Sequence, residues 1–288
     1  EFRRVLFRSQ RVKHEPNTER EKTMQRTILT EVDAGVGIIT LNCPERHNAF
    51  DDVLISELTQ AIKMMTQNAA VRVIVLSSNG KSFCAGADLN WMRRAAGYSD
   101  AENLHDARAL AEMLRCLAEC PKPTIARVQG SAYAGGVGLV ACCDIVIALF
   151  DAQFSLPEVR IGIVPATISP YVISAIGERH ARRYMLTAER FSAAVAYRMG
   201  LVHELVADVN ALDKAVGEIV EDLLKNAPGA LAECKSLISA VVAKPVTADL
   251  IEDTAQRIMR LRSSAEGREG IQAFLEKRKP NWTADETF

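Results

Sequence analysis

The chain repeats one unit several times, in which an apolar strand leads through a loop to a helix. The runs "VRVIVLSS", "PTIARVQG" and "DIVIAL" have the apolar character of buried strands, and a helix-forming segment follows each of them. Such repeats predict an α/β core whose loops after the strands collect on one side, where sites usually form. A chain of 288 residues is long enough to bury a core of this kind.

Two further elements precede the first of these strands. The run "TILTEVDAGVGIITLNC" predicts a hairpin around an Asp-Ala-Gly turn. The segment "DDVLISELTQAIKMMTQ" begins with acidic residues and repeats apolar residues at helical spacing, which predicts an amphipathic helix.

From about Asn210 onward the pattern is helical only. A block of amphipathic helices beside an α/β core often buries its apolar faces against another subunit, so we expect an oligomer. The alternative is that these helices pack only on their own core. The predicted organisation is therefore a core over residues 24–209 and a helical oligomerisation region over residues 210–288.

The opening run "EFRRVLFRSQRVKHEPNTEREK" is basic and polar and contains no apolar signal core. We expect residues 1–23 to be a non-native or disordered extension, with the natural start near Met24. A short transit segment is the alternative, and the glutamates in the run argue against it.

The composition excludes several classes of partner. Hydrophobic residues make up 48% of the chain and charged residues 25%, and the formal net charge of −1 does not predict binding to nucleic acid or to an anionic membrane. No apolar run is long enough to span a bilayer. Seven cysteines without a metal spacing indicate reduced thiols and a cytoplasmic protein, and the histidines form no spaced ligand set, so we expect no metal.

Two loops contain small residues where backbone amides can approach a ligand. They are "GKSFCAGADLNWM", after the strand that ends at Ser78, and "GSAYAGGVGLV", after the strand that ends at Val128. The second loop opens a helix, whose dipole favours negative charge. One amide from each loop would form an oxyanion hole for the enolate-like oxygen of a thioester, and one such donor stabilises the transition state by roughly 3 kcal/mol. Ordinary turn glycines are the alternative interpretation.

These motifs resemble the enoyl-CoA hydratase/isomerase, or crotonase, superfamily over nearly all of the chain from Met24. The resemblance rests on "LNCPERHNAF", "SFCAGADL", the "QGSAYAGGVGL" and "CCDIVIA" block, "FSLPEVRIGIVP" and "AFLEKRKP". It implies a crotonase-like spiral of repeated ββα units and a homotrimer or a dimer of trimers. It also implies an acyl-CoA substrate, in which coenzyme A is part of the substrate, so no separate cofactor is expected.

The resemblance also implies roles for individual residues. It assigns the two oxyanion amides to Ala85 and Gly135. It makes Lys277 a lysine that reaches the CoA phosphates and Phe274 an aromatic residue near the adenine. Hydratases of the superfamily commonly use two glutamates, of which the second is present as Glu158 and the first is replaced by Gly138.

A single titratable catalyst, Glu158, is the usual arrangement in the isomerases of the superfamily. The run "VRIGIVPATISPYVISAIGERHARRYMLTAERF" nevertheless resembles bacterial methylglutaconyl-CoA hydratases of leucine degradation, which also resemble this chain in having a glycine at position 138. We therefore expect a hydratase that converts 3-methylglutaconyl-CoA, or a related carboxylated isoprenoid-CoA, by adding water. Gly138 would leave room for the substrate or for a second water.

Glu158 would take a proton from water and return a proton to C2 of the acyl chain, which requires a pKa raised by apolar neighbours. Leu156, Pro157, Ile161 and Ile163 are the apolar neighbours in sequence. The free carboxylate of the substrate needs a partner, and the candidates are Arg46, Arg160 and the hydroxyl of Tyr133. The residues that we expect to contact the substrate are Ala87, Asp88, Leu89, Gly136, Gly138, Tyr133, Arg46, Arg160, Phe274 and Lys277.

Two other functions stay open at this point. An enoyl-CoA isomerase would move a double bond with Glu158 alone, without a change of mass. An animal relative of the methylglutaconyl hydratases binds RNA, but the near-neutral charge of this chain argues against an RNA-binding role.

Overall fold

Two sheets organise the residues that the computed structural model describes, 26–283, and the predicted extension 1–23 lies outside them. The strands are β1 (Ile28–Asp33), β2 (Val36–Leu41), β3 (Val73–Ser78), β4 (Ser82–Cys84), β5 (Thr124–Val128), β6 (Ser131–Tyr133), β7 (Ile145–Leu149), β8 (Gln153–Ser155), β9 (Phe191–Ser192) and β10 (Glu204–Val206). Within the described residues the larger sheet has the order β1-β2-β3-β5-β7-β10 and the smaller one the order β4-β6-β8-β9.

Helices and short 3-10 turns connect these strands. The helices are α1 (Asp52–Gln67), α2 (Leu89–Ala95), α3 (Asp100–Ala118), α4 (Gly135–Cys142), α5 (Ser169–Thr187), α6 (Ala193–Met199), α7 (Val209–Leu224), α8 (Pro228–Val241), α9 (Ala248–Ser263) and α10 (Ala265–Leu275). The 3-10 turns are Pro44–Arg46 and Glu158–Ile161. The predicted hairpin is β1 and β2, which pair antiparallel, and the predicted amphipathic helix is α1, so both predictions are confirmed.

The central strands of the larger sheet are buried on both faces, which explains the continuous apolar run of β3. Successive side chains of a strand point to opposite faces. Ile74 and Leu76 join the main core, which includes residues of α1, α3, α4 and α5, whereas Val73 and Val75 join a second core formed with α7. Parallel strands with both faces covered typically have such runs. Because α7 packs on the larger sheet, it belongs to the core. In the sequence, however, it lies in the region predicted for oligomerisation.

A buried ion pair joins α7 to the larger sheet. Arg127 Nε on β5 donates to Asp213 Oδ1 on α7 over 2.6 Å, and only 6% and 3% of the two side chains are exposed. Removal of one partner from such a pair leaves an uncompensated buried charge.

The last three helices are confirmed as helices but bury little within one protomer. No residue of α8 or α9 is buried, and α10 buries only Ala273. Among the described residues, the exposed large apolar side chains of these helices and of the connection between α8 and α9 are Ile238, Val242, Val246, Ile251, Ile258, Met259, Ile271, Phe274 and Leu275. This surface fits the expected contact with another subunit, which stays a prediction.

Two kinds of feature are absent from the described part of the chain. No helix there is long and apolar enough to cross a membrane. No group of three or more histidine, cysteine, aspartate or glutamate side chains there is arranged to hold a metal ion.

Asp213→Ala is expected to lower the free energy of unfolding by about 3–5 kcal/mol, because Arg127 would stay buried without its partner. Chemical denaturation measures this change. Lys214→Ala is the control, since Lys214 pairs with Glu218 on the exposed face of the same helix and should cost no more than about 0.5 kcal/mol. Equal effects of the two substitutions would contradict the assignment.

Candidate active site

Three loops lie side by side at one edge of the smaller sheet. β4, β6 and β8 are parallel neighbours, with Cys84 opposite Ala132 and Ala132 opposite Phe154. Because parallel strands end at the same edge, the loops that follow them meet there. These loops contain Ala87, Gly135 and Glu158, respectively. The prediction that the loops after the strands collect on one side is confirmed.

The first two loops touch backbone to backbone, and glycine is required at the contact. Gly86 has φ +88°, and a Cβ atom added there would lie 2.9 Å from Ala134 Cβ. A Cβ atom at Gly136 would lie 2.5 Å from the carbonyl oxygen of Cys84. No side chain fits at either position without moving the backbone of the other loop, so these glycines set the distance between the two loops.

The structure corrects the expected role of Ala85. Its N–H donates to the carbonyl oxygen of His47 over 3.0 Å, so this hydrogen is not free for a ligand. Around Ala87, by contrast, the carbonyl of Gly86 accepts from Phe50 N–H over 2.6 Å, and Asp88 N–H donates to Phe50 over 2.7 Å. Successive peptide groups of an extended segment point to opposite sides, so the Ala87 N–H points away from Phe50. No acceptor for it is found among residues 26–283, and Ala87 is exposed.

Gly135 offers a second free amide at the start of α4. Its N–H has no acceptor within the described residues, as expected for the first turn of a helix. The preceding Ala134 has φ 49° and ψ −120°, an unfavourable conformation for a residue with a Cβ. Two hydrogen bonds fix it, from Ala134 N–H to Ser155 over 2.9 Å and from Val137 N–H to Ala134 over 2.9 Å. The strained conformation of Ala134, held by these hydrogen bonds, sets the direction in which the Gly135 N–H points.

Glu158 is a buried carboxyl group with an unpaired oxygen. It begins the 3-10 turn that follows β8, and only 8% of the residue is exposed. Its Oε2 atom is buried and has no hydrogen-bond partner. Burial raises the pKa of Glu158 above the ordinary value for glutamate. A group of this kind can exchange protons near neutral pH more readily than an exposed glutamate.

The apolar neighbours of Glu158 in sequence are only partly those expected. Leu156 is buried and Pro157 is half-buried, but Ile161 and Ile163 are 59% and 53% exposed. The two isoleucines therefore contribute little to the burial of the carboxyl group. Their exposure follows from the 3-10 turn, which carries the chain back to the surface.

Gly138 does not face open space, which corrects the expectation of room for substrate or water. A Cβ atom at this position would lie 2.2 Å from Ile168 Cγ2 and 3.6 Å from Leu114 Cδ2. Both of these side chains are buried. An apolar plug, formed by Ile168 and Leu114, thus fills the space into which a glutamate at position 138 would extend.

The three candidates for binding the substrate carboxylate are placed differently. Arg46 forms an ion pair with Asp51 and lies 3.9 Å from Asp88, so its charge is already compensated. Arg160 is exposed, and it does not share a face with Glu158, because residues two positions apart in a 3-10 turn point in different directions. Tyr133 is half-buried, and the guanidinium of Arg190 lies 5.5 Å from its ring centroid.

Asp88 and Leu89 lie at the start of α2. The Asp88 carboxylate caps this helix by accepting from Asn90 N–H and Trp91 N–H, over 2.8 Å and 3.0 Å. Leu89 is 68% exposed.

Phe274 lies near the end of α10, and Lys277 follows this helix. Phe274 is 82% exposed. Arg72, directly before β3, donates to the carbonyl of Trp282 over 2.8 Å, which fixes the terminal segment at the amino edge of the larger sheet. A six-residue strand spans roughly 20 Å, so this anchor is far from the loops that follow the strands.

Two functional neighbours of the site were not predicted. Asn48 is fully buried and joins the loop after β2 to the segment before β4, since it donates to the carbonyls of Asn79 and Ser82 over 2.9 Å and 3.0 Å. Ile168 fills the space next to Gly138. The run "HNAF" marks Asn48 in the sequence, whereas no local pattern connects Ile168 with a position 30 residues earlier.

Comparisons with known proteins identify the family and the fold of the chain. A family model described as enoyl-CoA hydratase/isomerase matches residues 31–285. The 1,2-epoxyphenylacetyl-CoA isomerase of Escherichia coli K12 is 32% identical over 263 residues, which are 90% of this chain and 99% of that protein. A crystal structure of an enoyl-CoA hydratase from Shewanella pealeana matches with a TM-score of 0.87 at 43% identity, over 90% of this chain and 97% of the other. Pseudomonas aeruginosa AtuE matches with a TM-score of 0.85 at 39% identity, over 90% and 100%.

Gly138→Ala is expected to lower the free energy of unfolding by about 1–3 kcal/mol, because the added methyl group collides with Ile168. The same substitution should cost less in an Ile168→Ala background, where the methyl group has space. Denaturation of the two single variants and the double variant measures this coupling. Additive effects would contradict the packing described.

Gly97→Ala is the control for this cycle. A Cβ atom at Gly97 would lie 3.6 Å from its nearest neighbour, the carbonyl oxygen of Arg94, which is ordinary contact. This substitution is expected to change the free energy of unfolding by no more than about 1 kcal/mol.

Proposed function

Because the chain belongs to the enoyl-CoA hydratase/isomerase family, whose substrates are acyl-CoA thioesters, we propose that it adds water to a branched enoyl-CoA. The expected α/β, crotonase-like fold is confirmed by the matching structures. The substrate we propose is 3-methylglutaconyl-CoA or a related carboxylated isoprenoid-CoA. One observation carries the proposal: the buried, unpaired carboxyl group of Glu158 lies on the loop next to the free amide of Gly135.

The amides of Ala87 and Gly135 form the proposed oxyanion hole, so Ala87 takes the role first expected of Ala85. Both residues are accessible, and both N–H groups are without acceptors in the described chain. Their loops are held together by the contact between Gly86 and Ala134. The thioester oxygen accepts both hydrogen bonds, and each donor stabilises the developing negative charge by roughly 3 kcal/mol.

Glu158 serves as the only acid–base group of the proposed reaction. As its carboxylate takes a proton from water, the water oxygen bonds to C3. The π electrons of the C2–C3 double bond move onto the thioester oxygen as an enolate. The proton then passes from Glu158 to C2, and the enolate returns to the thioester. The pKa raised by burial suits a group that must both accept and donate a proton.

Arg160 is the proposed partner for the free carboxylate of the substrate. It is exposed, and no ion pair of its guanidinium is found among residues 26–283, in contrast to Arg46. Tyr133 stays a proposed hydroxyl donor at the same edge of the sheet.

Phe274 and Lys277 are proposed to bind CoA in the site of a neighbouring protomer. They precede Trp282, whose carbonyl accepts from Arg72 directly before β3, away from the loops that follow the strands. The exposed apolar surface of α8, α9 and α10 would form the contact that brings them to a neighbour.

An isomerase is the second candidate, and the apolar plug beside Gly138 favours it. A reaction that only moves a double bond needs one group to carry a proton between two carbons, and Ile168 excludes a second carboxylate at position 138. The relatives include a 1,2-epoxyphenylacetyl-CoA isomerase as well as an enoyl-CoA hydratase.

Product analysis distinguishes the two candidates. The purified protein is incubated separately with 3-methylglutaconyl-CoA, crotonyl-CoA and 3-hexenoyl-CoA, and product masses and the absorbance of the conjugated thioester are followed. We expect the branched diacid thioester to gain the mass of one water. Unchanged mass with new conjugation from 3-hexenoyl-CoA would identify an isomerase and contradict the proposed hydration.

Glu158→Gln is expected to lower kcat/KM by about 10³-fold or more, because the only acid–base group is lost. In the unchanged protein, kcat/KM should fall at low pH with a midpoint above that of an exposed glutamate, since the carboxylate form accepts the proton from water. Steady-state rates across pH measure both effects. Glu178→Gln is the control, because Glu178 is an exposed partner of Arg182; an equal loss there would contradict the assignment.

The same substitution is expected to raise the free energy of unfolding at pH 7. The folded pKa of Glu158 lies above its unfolded value, so the folded state binds more protons between the two values, and stability falls as pH rises through this window. Above the window, the buried carboxylate destabilises the folded state, and a neutral glutamine removes this cost. Denaturation of Glu158→Gln that shows a loss of stability at pH 7 would contradict this account.

A further inference from the structure

Resting on the proposed function, we infer that Arg46 is a positioning residue for the Ala87 amide rather than a ligand of the substrate. Its guanidinium connects the turn after β2 with the loop after β4. The Nη1 atom contacts Asp51 in an ion pair and lies 3.9 Å from Asp88 Oδ2. Only 24% of the Arg46 side chain is exposed, and the two carboxylates are 16% and 13% exposed.

Both carboxylates are helix caps, so Arg46 joins the beginnings of two helices. Asp51 Oδ1 accepts from Leu54 N–H at the start of α1 over 2.8 Å. Asp88 caps α2 in the same way, through two backbone N–H groups. Burial raises the pKa of Asp51, but the hydrogen bonds from Arg46 and from Leu54 N–H outweigh it and lower that pKa overall. Without a cation between them, two partly buried carboxylates would repel each other.

This connection reaches Ala87 through its two chain neighbours. Asp88 follows Ala87 directly, and its N–H donates to the carbonyl of Phe50. Gly86 precedes Ala87, and its carbonyl accepts from Phe50 N–H. Phe50 lies directly before Asp51 in the chain. Arg46, which contacts Asp51 and lies near Asp88, therefore holds the segment of Phe50 and Asp51 against the segment from Gly86 to Asp88. The direction of the Ala87 N–H therefore depends on how Asp51 and Asp88 are held relative to each other.

A small displacement at this position has a large chemical effect. An oxyanion donor acts only if its hydrogen points at the charge that develops on the thioester oxygen. A misplacement of about 1 Å can lower a rate by about 100-fold. Lysine is a poor replacement for Arg46, because an ammonium group on a flexible stem lacks the second terminal nitrogen that holds the guanidinium in place, Nη2, which donates to Cys43 Sγ over 3.4 Å.

The test compares Arg46→Met and Arg46→Lys with Arg94→Met. Arg94 is the matched control, because its Nη2 atom contacts Asp52 Oδ1 over 2.5 Å at the beginning of the same helix, α1, without contacting Asp88. We expect Arg46→Met to lower kcat by about 10-fold with KM changed by no more than about twofold. Arg46→Lys should fall between it and the unchanged protein, and Arg94→Met should leave kcat within about twofold of the unchanged value.

A second readout does not depend on which reaction the protein catalyses. A saturated acyl-CoA labelled with ¹³C at the thioester carbonyl is bound to each variant, and the carbonyl stretching band is recorded in the infrared. Hydrogen bonds from Ala87 and Gly135 should lower the frequency relative to free thioester. Arg46→Met should move the band back toward the free value, while Arg94→Met should not.

Three results would overturn the inference, and they are distinguishable. A rise in KM with unchanged kcat would show that Arg46 contacts the substrate directly. A lower kcat with an unchanged carbonyl band would show that Arg46 acts elsewhere than on the Ala87 amide. A band in the unchanged protein equal to that of free thioester would contradict the proposed oxyanion hole itself, whatever the reaction.

Discussion

The close contact between the loops after β4 and β6 determines the rest of the site. At Gly86 and Gly136 the backbones approach so closely that an added Cβ atom would lie 2.9 Å from Ala134 Cβ and 2.5 Å from the Cys84 carbonyl oxygen. Because of this proximity, the loops that carry the free amides of Ala87 and Gly135 are direct neighbours. The strained conformation of Ala134 is consistent with this constraint, since unfavourable backbone angles persist where the surroundings fix them.

In the proposed mechanism the backbone amides are accessible, whereas the carboxyl group is buried, and each environment suits the role of its group. The amides of Ala87 and Gly135 lie on accessible loops and need a ligand oxygen as acceptor. The carboxyl group of Glu158 is withdrawn from water, which raises its pKa and leaves Oε2 without a partner. Ile168 and Leu114 keep the position next to Gly138 apolar, so one carboxylate must perform every proton transfer.

Much of this architecture could be predicted from the sequence, because it follows from local patterns. The hairpin, α1, the buried strands and the C-terminal helices correspond to apolar periodicity. Glu158 was identified as a candidate, and the structure places it on the loop next to Gly135. The resemblance assigns the first oxyanion amide to Ala85, whereas the free amide is that of Ala87; this difference depends on which side of an extended segment pairs with Phe50.

Two further features of the site depend on contacts between residues distant in sequence. The plug at Gly138 comes from Ile168, and the charge of Arg46 is compensated by Asp51 and by Asp88, which lies 42 positions later. The 3-10 turn at Glu158 separates the faces of Glu158 and Arg160, and the local motif does not indicate this turn. Motifs therefore indicate which loops form the site, while tertiary contacts determine which atoms stay free within it.

A crystal structure with a bound acyl-CoA would test the central claim most directly, because that claim concerns the position of one oxygen atom. We predict that the thioester oxygen lies about 2.7–3.1 Å from the nitrogen atoms of both Ala87 and Gly135, with the Glu158 carboxyl group facing C2 and C3 of the acyl chain. A thioester oxygen held by other groups, or a Glu158 carboxyl group turned away from the acyl chain, would contradict the account.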